Sequence, residues 1–250
     1  GDAGPGGADV GGRGRAWRGG GGAGMGAGGV GAMGRWATGE GGLGNPGPAA
    51  NGVRVVAANG VIANRAGTGT AGFSGDGGPA AAAQLDGPRD AAIDAAGNIY
   101  IADRNNHRVR MIAPNGIITT IAGVGTVGNS GDGGAATAAQ LSDPVGVAVD
   151  STGNVYIADA TNRNVRKVAT NGIISTFAGT GASGTGGDGG PATAATFIRP
   201  NDVRVNNLNA VLVVDTDGRT VRSIASNGII TTIAGTPVLP RHGGARGPAR

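Results

Sequence analysis

No cysteine occurs in the 250 residues, so a disulfide framework and a thiolate metal site are both excluded. Glutamate is almost as scarce, with Glu40 the single one, and histidine is limited to His107 and His242. A catalytic zinc site built from several histidines therefore cannot be assembled from this chain. Aromatic residues make up only 3% of it. No apolar run approaches the roughly 18–20 residues that a membrane-spanning helix needs. No signal peptide is visible, but the chain opens on Gly1, which leaves the compartment open.

The formal charge of +4 is misleading. Between residues 53 and 235, 12 Arg and Lys167 face 13 Asp and cancel, so the surplus sits in the two ends. A neutral central region lacks the electrostatic footprint of a nucleic-acid binder. Nucleic acid is accordingly not the expected partner. Glycine is abundant, at 55 residues, and 23 of these fall in the first 52. That segment shows no apolar period able to offset its ordering entropy, so residues 1–52 read as disordered, as does the basic tail 236–250.

What the chain does have is a period of 56 residues. Asn-Gly followed by two β-branched residues starts at Asn59, Asn115, Asn171 and Asn227. Val-Arg keeps the same step at Arg54, Arg110, Arg166 and Arg222, and Gly-Asp-Gly-Gly does so at Asp76, Asp132 and Asp188. Such self-similarity marks an array of supersecondary units, each burying an apolar face on the next.

The unit is clearest over residues 145–179. Val145–Val149 reads as a strand, Asp150–Asn154 as a turn with Gly153 in the left-handed position, and Val155–Ala158 as a second strand ending at Asp159. Val165–Val168, the Asn171-Gly172 turn and Ile173–Phe177 complete a four-stranded antiparallel meander, the unit of a propeller blade. The fold class is therefore all-β, a β-propeller with about three and a half blades. Its boundaries are 53–88 for a partial blade with its insert, then 89–144, 145–200 and 201–235. Residues 191–197 and their counterparts after Pro79 and Ala135 are expected to form about two helical turns, with Leu85, Leu141 and Phe197 as anchors between blades. Arg65 and Arg204 break the pattern by standing where other units carry apolar residues; a charge buried there costs several kcal/mol, on the order given for ions, unless paired. Since the partial ring does not close, the chain reads as a piece of a longer product.

Gly146–Asp150, Gly153–Asp159 and Asn106-His-Arg-Val-Arg110 resemble the NHL-repeat family of β-propellers, and the Ser74–Ala80 insert is similar to its long-insert bacterial and teneurin-like subgroup. The likeness covers about residues 53–235. It implies a usually six-bladed scaffold that binds a protein, peptide or glycan, often outside the cell or at its surface. The competing expectation is a piece of a lyase- or lactonase-type propeller whose catalytic groups lie on other blades.

Residues present in every unit are expected to serve the fold. Asp103, Asp159 and Asp215 should accept backbone N–H bonds in the turn that follows, and Arg110, Arg166 and Arg222 should pair with them. Asp76, Asp132 and Asp188 lie in Gly-rich loops, but one carboxylate per loop falls short of the roughly 6–8 oxygens that calcium takes. Asp215-Thr-Asp217-Gly218 opens like an EF-hand loop and lacks its later carboxylates. Loop residues that differ between units, Arg104, His107, Arg163 and Arg219, are the candidate partner contacts. No catalytic residue, cofactor site or metal site is assigned. Gly12–Arg15 and Arg18–Gly20, around Trp17, faintly resemble RNA-binding Arg-Gly segments but are sparse.

Overall fold

A computed structural model describes residues 35–38, 51–56 and 60–237. The readings of the Arg-Gly stretches and of the tail from residue 238 onward lie outside these residues.

The described residues form fifteen strands. The first three are β1 (Arg35–Thr38), β2 (Val53–Val56) and β3 (Ile62–Ala66). Three blades follow: β4 (Pro88–Ile93) to β7 (Ile118–Ala122) through β5 (Ile99–Asp103) and β6 (Arg108–Ile112); β8 (Pro144–Val149), β9 (Val155–Asp159), β10 (Asn164–Val168) and β11 (Ile174–Ala178); and β12 (Pro200–Val205), β13 (Val211–Asp215), β14 (Thr220–Ile224) and β15 (Ile230–Gly235). Each blade is a four-stranded antiparallel meander, preceded by a three-stranded sheet β1-β2-β3. Three-residue loops join the strands where the sequence places Gly or Asn. Gly153 has φ +92°, and Asn209 takes the same left-handed region at φ 57°.

Contacts between blades concentrate at their first strands, β4 on β8 and β8 on β12, so the blades converge there and splay outward. Alternation along the second strand explains how one strand serves two neighbours. Ile99 and Ile101 enter the core shared with the preceding sheet, whereas Tyr100 and Ala102 enter the core shared with the next blade. The pattern repeats with Val155 and Ile157 on one side and Tyr156 and Ala158 on the other. Both strands are therefore buried throughout. In β13 only Val211, Val213 and Asp215 are buried, and Leu212 and Val214 are half-buried. Burying each such side chain is worth about 1.5–3 kcal/mol, so the three inter-blade cores carry the array.

Two expectations are corrected. A strand, β1, lies inside the segment read as disordered; it pairs with β2, because a ladder requires only extended backbone and Arg-Trp-Ala-Thr offers a short stretch free of glycine. The inserts hold a single 3-10 turn each, Ala80–Ala82, Ala136–Ala138 and Ala192–Ala194, not two helical turns. Extended residues on both sides, such as Pro191 (ψ 135°) and Ala195 (ψ 163°), stop propagation. Arg65 and Arg204, where burial would be costly, are exposed, and Arg204 is paired with Asp90 at 2.7 Å. Leu85, Leu141 and Phe197 are fully buried at the anchor positions.

Candidate binding face

Each insert leaves the fourth strand of one blade and docks on the fourth strand of the next. Gly123 N donates to Ala136 O, while Ala136 N donates to Gly172 O and Ile174 N to Gly134 O. Isolated bridges Pro79 to Ile117, Ala135 to Ile173 and Pro191 to Ile229 mark the same edge. The insert thus covers an edge strand that would otherwise expose its N–H and C=O groups.

The repeated arginines hold the inserts down. Arg110, Arg166 and Arg222 are fully buried. Their Nη2 atoms lie 2.7, 2.5 and 2.6 Å from Asp76, Asp132 and Asp188 of the Gly-Asp-Gly-Gly loops. Nη1 donates to Gln84, Gln140 and Thr196 carbonyls. The expected partners Asp103 and Asp159 are farther, at 3.5 and 3.9 Å. The loop aspartates are therefore ion-pair partners, which accounts for them without calcium. Burial pushes Asp132 and Asp188 up, but hydrogen bonds from Thr176 or Thr232 and from the arginines outweigh it and hold both below the usual carboxylate range.

Asp103, Asp159 and Asp215 are fully buried, and their backbone donors mostly precede the blade instead of following the strand. Asp103 accepts from Asp86 N at 2.8 Å, Asp159 from Ser142 N at 2.7 Å, and Asp215 from Ile198 N at 2.9 Å and Arg199 N at 2.7 Å. The following turn contributes Asn106 and Asn162 side chains and, in the last blade, Gly218 N. Burial raises Asp103 to about 6 and Asp159 to about 7, against these bonds. The EF-hand-like Asp215 is thus committed to the backbone.

The candidate contacts stand at the same end of the blades. Asn105 N, Ala160 N and Thr216 N, in the turns after the second strands, donate to Asp86, Asp143 and Arg199 carbonyls in the loops before the first strands. His107, Arg163 and Arg219 occupy one repeated left-handed position, with φ 53°, 56° and 56°. The carbonyls of these residues approach Gly123, Gly179 and Gly235 so closely that a Cβ there would come within 2.6 Å of the oxygen. Arg163 and Arg219 are exposed.

Arg104 and His107 are brought together, with a residue that inspection of the repeats left aside. Arg104 pairs with Asp143 through Nε, and Asp143 N donates to His107 Nδ1 at 3.4 Å. Arg199, from the loop before the third complete blade, reaches the other Asp143 oxygen at 3.1 Å. One carboxylate therefore links three successive blades between two guanidinium groups. Asp143 and Arg199 were detectable by the criterion that selected the tips: positions 87, 143 and 199 read Gly, Asp and Arg in otherwise matched units. Arg163 makes one long contact, 3.5 Å to Gly181 O just after its own fourth strand.

A second inter-blade link lies on the first strands. Arg204 forks onto Asp90 at 2.7 and 3.2 Å, and Asp90 also accepts from Val147 N at 2.9 Å. Burial raises Asp202; the Arg204 charge at 2.9 Å opposes this, and Asp90 adds to it. Gly146 stands between, in the position of Asp90 and Asp202, where a Cβ would meet the Asp202 Cα at 2.9 Å. Among the described residues no group of three or more His, Cys, Asp or Glu is placed to hold a metal.

Four-stranded meanders that converge on their first strands and share cores pairwise define a β-propeller array built of NHL-type repeats. Residues 45–128 and 124–185 match the model of the Teneurin NHL domain, together more than half of the 250 residues. The chain belongs to that family. It is 32% identical over 163 residues to Teneurin-3 of Danio rerio and 30% identical over 160 residues to Teneurin-4 of Homo sapiens, covering 57% of this chain in each case. It spans only 6% of the length of either relative. Among solved structures, a Bacteroides thetaiotaomicron protein of unknown function superposes with a TM-score of 0.55 at 23% identity, over 69% of this chain and 42% of that one. That likeness shows the fold alone.

Proposed function

We propose that the chain is a non-catalytic binding module whose blade-end turns contact an anionic protein, peptide or glycan, in an extracellular or cell-surface setting. The observation that carries this reading is the single left-handed position filled by His107, Arg163 and Arg219. One backbone geometry displays three different blades' cationic or ionisable side chains at one end of the array. The repeated polar residues, by contrast, are committed to the Arg–Asp contacts of the inserts and to loop N–H bonds, with Arg110, Arg166, Arg222, Asp103, Asp159 and Asp215 fully buried. Variable tips on an invariant frame are what a recognition surface requires. A serine nucleophile within these blades would need His107 as its base, but His107 Nδ1 already accepts a hydrogen bond from Asp143 N.

The test is an array of acidic and neutral glycans and peptides probed with the whole chain and with a His107→Ala, Arg163→Ala, Arg219→Ala variant. Selective retention of acidic probes, lost in the variant, is the expected result. Retention unchanged by the three substitutions, or turnover of lactone or ester substrates, would contradict it.

A further inference from the structure

In three blades the outer edge of the fourth strand is covered by an insert, and in the first sheet the equivalent edge has no such cover among the described residues. Ile62 occupies the position of Ile118, Ile174 and Ile230; those three are fully buried, and Ile62 is 50% exposed. Arg54 stands at the position of Arg110, Arg166 and Arg222, with the same irregularity between Val53 and Arg54 as between Val109 and Arg110. Its copies are fully buried on an aspartate, whereas Arg54 is exposed and makes no ion pair among the described residues. The repeat step of 56 residues places Gly20 where the aspartate belongs. At that register the sequence carries no acidic residue to pair with Arg54.

We propose that the outer edge of β3, with Arg54, is a docking site for an extended peptide of the Gly-Asp-Gly-Gly-Pro-Ala kind contributed by another protein chain. This site lies on the blade rim and is independent of the blade-end turns. Three filled copies define the ligand. Its backbone adds to the edge as Gly77 N to Ile118 O and Ile118 N to Gly78 O, at 2.8 and 3.0 Å. Its aspartate meets the guanidinium from Nε and Nη2, at 3.1 and 2.7 Å in the first complete blade. Its other oxygen takes the fourth strand, from Thr120 Oγ1 or from Thr176 and Thr232 N; Asn64 holds that position in β3. Glycine is required on both sides of the aspartate, because Gly75 and Gly77 have φ +88° and +79°. Ladder bonds provide affinity and the buried charge pair provides selectivity, the mode of β-strand addition.

The experiment is fluorescence anisotropy of a labelled synthetic peptide of residues 73–85, titrated with the whole chain. Saturable binding is expected, weakened at least about tenfold by Arg54→Glu and by Asp76→Asn in the peptide, and partly retained by Arg54→Lys. Circular dichroism of each variant checks that the array stays folded, which β2 substitutions at a half-covered sheet should allow. Absence of saturable binding to the folded chain would overturn the proposal. So would equal affinity for the parent and Arg54→Glu chains, or for the Asp and Asn peptides.

Discussion

Arg222 donates from Nε and Nη2 to one oxygen of Asp188, at 3.1 and 2.6 Å, across 34 residues of sequence. The guanidinium is fully buried and the carboxylate 42% exposed. The two groups are therefore not equivalent. Loss of the aspartate strands a buried cation beside the Thr196 and Gly186 carbonyls, whereas loss of the arginine leaves a carboxylate that water can reach.

Asp188→Ala is accordingly expected to cost about 3 kcal/mol, and Arg222→Met about half that. A double-mutant cycle by urea unfolding should show the pair to be coupled, with the double variant less destabilised than the sum. Additive losses would mean that the insert is held by its backbone bonds alone.

The strands were legible because apolar alternation and Asn-Gly or Gly turns act over a few residues. Val155–Ala158 and Val165–Val168, read from sequence, differ by one residue at one end from β9 and β10. The partner of the buried arginines was not legible in the same way. Asp103 and Arg110 are close in sequence and on adjacent strands, which made them the natural pair, but the side chain reaches outward to the insert. The constant 34-residue offset from Asp76 to Arg110 was present, yet nothing local distinguishes it from two independent repeats. The 3-10 turns were overread as helices because Pro-Ala-Thr-Ala-Ala favours a helix locally, while docking on the next blade's edge demands extended backbone at both ends. At the candidate face, Arg104 and His107 stand out as variations between units; Asp143 varies in the same way, but its pairing with Arg104 and Arg199 is set by the fold and not by the sequence.

The buried aspartates set a pH dependence. Burial raises Asp103 to about 6 and Asp159 to about 7, above the value of an unfolded carboxylate near 4. Between these values the folded state holds more protons than the unfolded one, so their contribution to stability is fully present below about pH 4 and is lost as pH rises through about 6 to 7. Asp132 and Asp188, held low, act oppositely and lose their contribution only in acid. From pH 5 to 8, thermal unfolding of the parent should shift downward, and Asp159→Asn should flatten that slope. Coincident slopes would show that Asp159 is not the responsible group.

Gly146 allows β8 and β12 to approach each other. Gly146→Ala drives a methyl into the Asp202 Cα and Val203 N, at 2.9 and 3.0 Å, and is expected to cost about 1–3 kcal/mol, the usual penalty for overpacking. Gly172→Ala meets nothing within 4 Å, although its φ of +80° carries strain of about 1–2 kcal/mol. Hydrogen exchange separates the two. Gly146→Ala should expose the β12 amides, and Gly172→Ala only its own turn.

Asp143 neutralises two arginines at the blade-end face. Because the pair partners Arg104 and Arg199 are partly exposed, Asp143→Ala should change stability by about 1 kcal/mol or less. It should nevertheless delay elution from a sulfated-polysaccharide column to higher salt, since both cations are released toward solvent. Unchanged elution would remove this face as the cationic surface.

The most direct test of the blade array with docked inserts is residue-resolved hydrogen exchange under native conditions. The amides of Ile118, Ile174 and Ile230 donate to Gly78, Gly134 and Gly190 at 3.0, 3.0 and 3.1 Å, so their exchange should require loss of the insert. Strong protection at all three, with rapid exchange at Ile62, is the expected result. Protection of Ile62 equal to theirs, or rapid exchange at all four, would contradict it.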